Sequence, residues 1–446
     1  MEVIGVRTAS LGDATYLVTA GEHAIIVDPQ RDIGRFQEML AAREVTLTHV
    51  LETHMHNDYI SGGRDLAKAT GAELILPAGS GAGFAFVPAF HREVIAGPGL
   101  LTIEPLHTPG HTPAHISYLM SSGDEAKALF SGGSLLVGAA GRSDLLGDEF
   151  AHQLAVLQYG SLRRLAALPD DTGVYPTHGE GSFCTASGAG RTTSTIGVEK
   201  AENPLLSISD VDAFVENQLS GLVPYPSYYQ YMGGINRRGP TALAEPKILE
   251  LGPGEVAGHL DAGDGVLDGR DRYAFAAGHV PGSVGIELGD SFAPWAGWLL
   301  DFHSPVVLIL GPDDDVSAAA VELGRIGLTV AGVMRGVEAW ARQDRPLASY
   351  RTASSAELAA QLAMNPGTQV LDVRDPLEWK AGHIEGSVHT YVPDLLTGAP
   401  SSIVADQPVW VICRTGNRAS IAAGLLEGSG LEPVVVAKGG VPDLVS

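Results

Sequence analysis

Short apolar runs broken by glycine and proline recur along this 446-residue chain, and they alternate with stretches of helical periodicity. Residues 14–18 and 23–27 alternate and turn as paired strands do. Residues 32–43 read as an amphipathic helix. The run 46–51 reads as a strand that leads out into the loop Glu52-Thr53-His54-Met55-His56-Asn57-Asp58-Tyr59. Residues 61–70 are helical in pattern and 72–76 strand-like. Further strands are predicted at 101–106, 116–120 and 128–130. A long helix over 148–168 is stopped by Pro169. From Gly181 the pattern loosens, and one more helix is predicted over 211–219. The segment Pro224-Tyr225-Pro226-Ser227-Tyr228-Tyr229-Gln230-Tyr231 then reads as a connector over the preceding domain, its tyrosines serving as packing and hydrogen-bonded cover.

Beyond residue 245 the chain repeats itself. Val266-Leu267-Asp268-Gly269-Arg270-Asp271 and Gly278-His279-Val280-Pro281-Gly282-Ser283 align without a gap on Val370-Leu371-Asp372-Val373-Arg374-Asp375 and Gly382-His383-Ile384-Glu385-Gly386-Ser387. Two tandem copies of one α/β unit are expected, each a small parallel sheet with helices on both faces. The predicted domains are 1–240, with a connector at its end, 245–350 and 353–446.

Charge and composition narrow the options. A formal net charge of −24 disfavours nucleic acid or an anionic membrane surface as partner. No apolar run approaches the roughly 18 residues of a membrane span, and the first residues lack a signal-peptide layout, so a cytoplasmic location is expected. The two cysteines, Cys184 and Cys413, lie far apart in the chain and read as free thiols of a reducing compartment.

Histidines gather where apolar runs end: His54 and His56, then His107 and His111 in Leu106-His107-Thr108-Pro109-Gly110-His111, then His178 in Pro176-Thr177-His178-Gly179. Two imidazoles one residue apart, with Asp58 two further on, can converge on one cation from a loop, whereas a helix would splay them. Their order resembles the metallo-β-lactamase fold, and THMHNDYISGG with HTPGHT resembles its persulfide dioxygenase and glyoxalase II-like branches. That resemblance implies an αββα sandwich with a metal held by loops along one edge. It places His54, His56 and His111 at a first metal position, and Asp58 and His178 at a second.

Two departures stand out. Tyr59 occupies the place of a family histidine, and Gly133, in Phe130-Ser131-Gly132-Gly133-Ser134, that of a bridging aspartate. One metal at most is therefore expected. Two histidines and a carboxylate suit iron(II) and dioxygen, while three imidazoles and a water suit a hydrolytic zinc. Iron(II) is the expected ion and zinc(II) the alternative. Restoring a carboxylate by Gly133→Asp is expected to tighten iron(II) binding.

The second repeat carries Cys413-Arg414-Thr415-Gly416-Asn417-Arg418 between a strand, 409–412, and a helix starting near residue 419. Backbone N–H groups of such a loop, backed by the positive helix end, cradle an anion. A thiol centred there is expected to be a good nucleophile, and Arg414 and Arg418 suit a sulfonate-like oxygen array. The loop resembles the rhodanese family. This implies a sulfurtransferase in which Cys413 carries a persulfide, residues 414–418 bind substrate, and Asp372 and Arg374 hold the loop.

In the first repeat Leu310 stands opposite Cys413, followed by Gly311-Pro312-Asp313-Asp314-Asp315. That copy is expected to be inactive, a spacer or an interface. Cys184, close after His178, reads as a sulfur carrier near the metal or as a structural thiol. The layout resembles persulfide dioxygenase–rhodanese fusions. It implies oxidation of a low-molecular-weight thiol persulfide by dioxygen to sulfite, coupled to sulfur transfer with thiosulfate. A zinc thioester hydrolase fused to a rhodanese and a metal-poor docking module with one working sulfurtransferase are the alternatives. Homo-oligomerisation is left open.

Overall fold

The computed structural model describes residues 1–123, 127–184, 191–244 and 247–445. The start expected for the first repeat, residue 245, lies outside the described residues. Two compact units are present, Met1–Ala244 with Arg325–Gly327, and Glu245–Gly324 with Leu328–Ser446.

In the first unit, strands with both faces apolar build two six-stranded sheets. One runs in the order Glu2–Thr8, Asp13–Ala20, His23–Val27, Thr46–Leu51, Glu73–Pro77, Val87–Ala89. The other runs Ser194–Thr195, Gly173–Pro176, Ala128–Gly132, Ile116–Ser122, Leu101–His107, Ile95–Ala96. Alternate residues point to opposite faces of a strand. Tyr16, Val18, Ile25, Val27, Tyr118 and Met120 therefore meet in the core between the sheets. Leu17, Ala24 and Ile26 pack outward with Phe36, Leu40 and Leu66 of the helices Gly34–Ala42 and Gly63–Thr70. Leu119 and Leu129 pack outward with Leu162 and Leu165 of the helix Asp148–Ala166. This is the expected αββα sandwich.

The helices Ile196–Glu202, Pro204–Ser207 and Tyr229–Arg238 escaped the sequence pattern. Tyr229–Arg238 lies inside the tyrosine-rich connector, where flanking prolines and the pair Gly233-Gly234 hide its periodicity. Its Asn236 Nδ2 donates to the carbonyls of His56 and Tyr59, both at 2.9 Å, and its Oδ1 accepts from Ser61 N–H. The connector therefore holds the histidine loop in place.

The second unit contains two five-stranded parallel sheets of one topology. The first runs Leu249–Glu250, Val330–Arg335, Val306–Leu310, Gly265–Asp268, Val284–Gly285. The second runs Arg351–Ser354, Pro433–Lys438, Val409–Ile412, Gln369–Asp372, Val388–His389. The repeats pack directly on each other. Helix Phe292–Leu299 of the first is buried along its whole length, and its Trp295 and Trp298 meet Tyr391 of the second edge-on. His279 Nε2 pairs with Glu427 at 2.9 Å. Among the described residues, no helix is long and apolar enough to cross a membrane.

Candidate functional site

In the first unit, loops following four strands converge at one edge, and each brings chemistry. Thr46–Leu51 leads to His54, His56 and Asp58; Leu101–His107 to His111 and His115; Ala128–Gly132 to Gly133; Gly173–Pro176 to His178 and Cys184. His54, His56, Asp58, His111 and His178 are all buried.

The three imidazoles that share one centre are His54, His111 and His178, with donor atoms mutually within 4.8 Å. Each is aimed by its Nδ1. That atom lies 2.8 Å from Thr53 Oγ1 in His54 and 2.8 Å from the Arg142 carbonyl in His111. In His178 it lies 2.8 Å from Asp13 and 3.1 Å from Asp58. Thr53 Oγ1 in turn donates to Asp28 at 2.7 Å. Such outer partners fix the tautomer and leave each Nε2 facing inward. His111 Nε2 is buried without a hydrogen-bond partner, and His178 Nε2 reaches His54 Nε2 at 3.3 Å. This donor set fits one metal ion.

His56 is grouped differently from the expected first-position trio. Its Nε2 lies 3.2 Å from Asp28 and 3.1 Å from Glu52, with Tyr59 OH at 3.0 Å. It joins Asp28 and His54 in one possible ligand group and Asp58 and His178 in another, but not the three-imidazole centre. Tyr59, where the family has a histidine, thus stacks on and hydrogen-bonds to His56.

Electrostatics divides the histidines into two classes. Burial and neighbouring imidazoles hold His54 well below its ordinary pKa, and burial with His178 nearby brings His111 down to about 3. Both are neutral and ready to donate lone pairs. Burial opposes charge on His178, but Asp58 and Asp13 outweigh it and push its pKa up to about 10. A metal ion at the centre must displace a proton from His178.

Cys184 is buried beside the site, its Sγ 3.6 Å from Asp58 Oδ2 and 3.9 Å from Tyr229 OH. Burial and the adjacent carboxylates push its pKa up, which keeps it a thiol. Tyr228 and Tyr229 are buried over this corner, with Tyr228 OH donating to the Asp58 carbonyl. Asp13, Asp28, Glu52 and His115 escaped the sequence reading. Asp28 had one faint signal, a polar residue before Pro29 where an apolar strand ends. It adopts φ 54°, held by Thr53 and Thr177.

Gly133 does not leave an open place for a carboxylate. A Cβ there would lie 2.2 Å from His111 Cδ2 and 2.7 Å from its Nε2. The imidazole occupies the space, which reverses the expectation for Gly133→Asp. The substitution should lower the stability of the metal-free protein by roughly 1–3 kcal/mol, because His111 must leave the Arg142 carbonyl. Iron(II) affinity should not tighten. Chemical denaturation and metal titration read both; tighter binding at unchanged stability would mean that His111 makes room.

The cysteine loop follows strand Val409–Ile412 and opens helix Asn417–Glu427. Cys413 is 1% exposed, and its Sγ accepts the Gly416 N–H at 3.1 Å. Gly416 has φ +92°, and a Cβ on it would lie 2.4 Å from the Ala437 carbonyl. Only glycine fits there. Arg414 and Thr415 face solvent, while Asn417 and Arg418 are half-buried. Arg418 is already engaged: Nη1 with Glu378 Oε2, and Nη2 with Glu378 Oε1 at 3.0 Å.

Arg374 grips Asp372 at 2.9 and 2.7 Å and donates to the Gly382 carbonyl. Arg270, Asp268 and Gly278 repeat this arrangement in the first copy. A pair that persists without the cysteine serves the fold. In the first copy the corresponding loop supplies its own anion, with Asp314 accepting the Gly311 N–H at 2.7 Å.

The family described as the metallo-beta-lactamase superfamily matches residues 12–178, and the rhodanese-like domain matches 252–343 and 354–446. A hydroxyacylglutathione hydrolase from Tolumonas auensis is 30% identical over 239 residues, 45% of this chain and 85% of that protein. Other proteins of that name, 32–36% identical, are matched over only 53–62% of their length. Among solved structures, a metallo-beta-lactamase from Staphylococcus aureus is 28% identical with a TM-score of 0.66, covering 75% of this chain and 99% of that one. ETHE1 from Myxococcus xanthus is 33% identical with a TM-score of 0.46, covering 53% of this chain and 98% of that one.

Proposed function

This chain belongs to the metallo-β-lactamase superfamily and carries two rhodanese-like domains, and on that premise we propose that it passes sulfane sulfur through Cys413 and oxidises a low-molecular-weight thiol persulfide in its first domain. The observation that carries the reading is Cys413 Sγ at the mouth of a helix, accepting the Gly416 N–H. A thiolate held there attacks the outer sulfur of thiosulfate. The S–S bond breaks, its electron pair leaves with sulfite, and Cys413 holds a persulfide. An acceptor thiolate then takes that outer sulfur and restores the cysteine thiolate.

In the first domain, His54, His111 and His178 would hold the metal, and iron(II) there would supply dioxygen chemistry. The chain's own part is to present three Nε2 lone pairs through Thr53, Arg142, Asp13 and Asp58, and to keep the centre buried. Thiol persulfide, dioxygen and water would give thiol and sulfite.

A second reading, hydrolysis of a glutathione thioester with zinc, is favoured by one feature: the group His54, His111 and His178 offers three nitrogens, and no carboxylate stands at Gly133. The two part company in one experiment. Iron-loaded protein given glutathione persulfide should consume oxygen and release sulfite. No uptake, with thioester turnover by the zinc form, would replace the first reading by the second. Silence in both assays, with Cys413 still transferring sulfur, would leave a docking module.

A further inference from the structure

The cysteine-less repeat reaches into the cysteine loop of its neighbour. Arg272, the first residue of helix Arg272–Ala277, donates from Nη1 to the Thr415 carbonyl at 3.1 Å. The amide that carries this carbonyl ends in the Gly416 N–H, and that N–H donates to Cys413 Sγ, also at 3.1 Å. One peptide group thus lies between a guanidinium and the sulfur, hydrogen-bonded at both ends.

We infer that Arg272 is a positioning residue for the sulfur chemistry of Cys413, acting across the repeat interface through the Thr415–Gly416 peptide. The inference rests on the reading of Cys413 as the sulfur carrier and gives the first repeat a part in that reaction.

Two effects act together. A cationic donor on a carbonyl oxygen polarises the amide and makes its N–H a stronger donor toward developing charge on sulfur. It also holds the plane of a peptide that ends in a glycine at φ +92°, next to a solvent-facing Thr415. Arg272 is itself aimed. Its Nε and Nη2 both bind Glu287 Oε2, at 2.8 and 2.6 Å, which leaves Nη1 for Thr415.

The pair is not a general property of the repeat. At the aligned positions the second copy has Pro376 and Tyr391. Arg418 also acts on the charge of Cys413, but it is held by Glu378, lies 3.5 Å from Asp375 and makes no contact with the Thr415 carbonyl among the described hydrogen bonds. Other charged groups near the loop include solvent-facing Arg414, Arg270 beside Asn417 and, beyond Gly440, Asp443, which accepts the Gly440 N–H.

The test uses the full chain and two readouts: alkylation of Cys413 by iodoacetamide, followed by mass spectrometry across the pH range of thiol ionisation, and thiosulfate-to-cyanide transfer. Arg272→Ala should slow alkylation near neutrality by about three- to tenfold and move its profile to higher pH, with kcat/KM for thiosulfate falling in parallel. Arg272→Lys should recover most of the rate. Glu287→Gln, which loosens the aim and keeps the cation, should shift the profile less in the same direction, and it reads the same contact if Arg272→Ala does not fold.

An unchanged alkylation profile in Arg272→Ala, or in Glu287→Gln where the alanine variant fails to fold, overturns the inference whatever happens to turnover. So does a lysine variant as impaired as the alanine one. A wild-type protein whose Cys413 is alkylated normally but transfers no sulfur would instead sink the sulfurtransferase reading.

Discussion

Cys413→Ser should lose sulfur transfer from thiosulfate to cyanide or a thiol by a factor on the order of 10³ or more. The hydroxyl keeps the place of the sulfur and can still accept the Gly416 N–H, so the loop geometry survives while the nucleophile does not. Asp313→Asn is the matched control: it lies in the corresponding loop of the first repeat, faces solvent, and should leave the rate unchanged. Cys184→Ser should also leave thiosulfate transfer intact, because that thiol is buried in the other unit beside Asp58. Substantial transfer in Cys413→Ser that disappears in the double variant would move the chemistry to Cys184.

The second large effect is on stability. His56→Leu should destabilise the first domain by about 3–5 kcal/mol, since removing one partner leaves buried charge uncompensated. His56, Asp28 and Glu52 have side chains 1%, 0% and 5% exposed, with His56 Nε2 between the carboxylates. Burial opposes the imidazolium, but Asp28 and Glu52 outweigh it and raise its pKa well above the ordinary value. A histidine shifted upward contributes stability that is fully present below its unfolded pKa, about 6.5, and is lost as pH rises through the folded value. The wild-type advantage over His56→Leu should therefore hold at neutral pH and shrink in alkali. Denaturant melts of the two metal-free proteins measure it. Equal stability, with loss of bound metal in the variant, would assign His56 to the ligands instead.

Much of the architecture was legible in order along the chain. Strands such as Ile116–Ser122 alternate between two buried faces, and that period is local. The duplicated Asp-x-Arg and Gly-His segments announce two copies of one unit because each copy is contiguous. The Cys413 loop was legible for the same reason: sulfur, glycine and helix start lie within a few residues, and the cradle is made of backbone.

Tertiary structure decided which side chains meet. His54, His111 and His178 come from loops after three different strands, and only the packing of two sheets brings their Nε2 atoms together. His56 shares a loop with His54 yet turns to Asp28 and Glu52, because a buried carboxylate must find a cation and no periodicity records that demand. Gly133 reads in sequence as a missing ligand; in the fold its place is filled by the His111 ring. Arg272 sits in a repeat whose own loop has lost its cysteine, and its contact with Thr415 exists only because one repeat packs on the other. Local periodicity and contiguous motifs are written in neighbouring residues, whereas the pairing of buried charges and donors is set by which surfaces the core forces together.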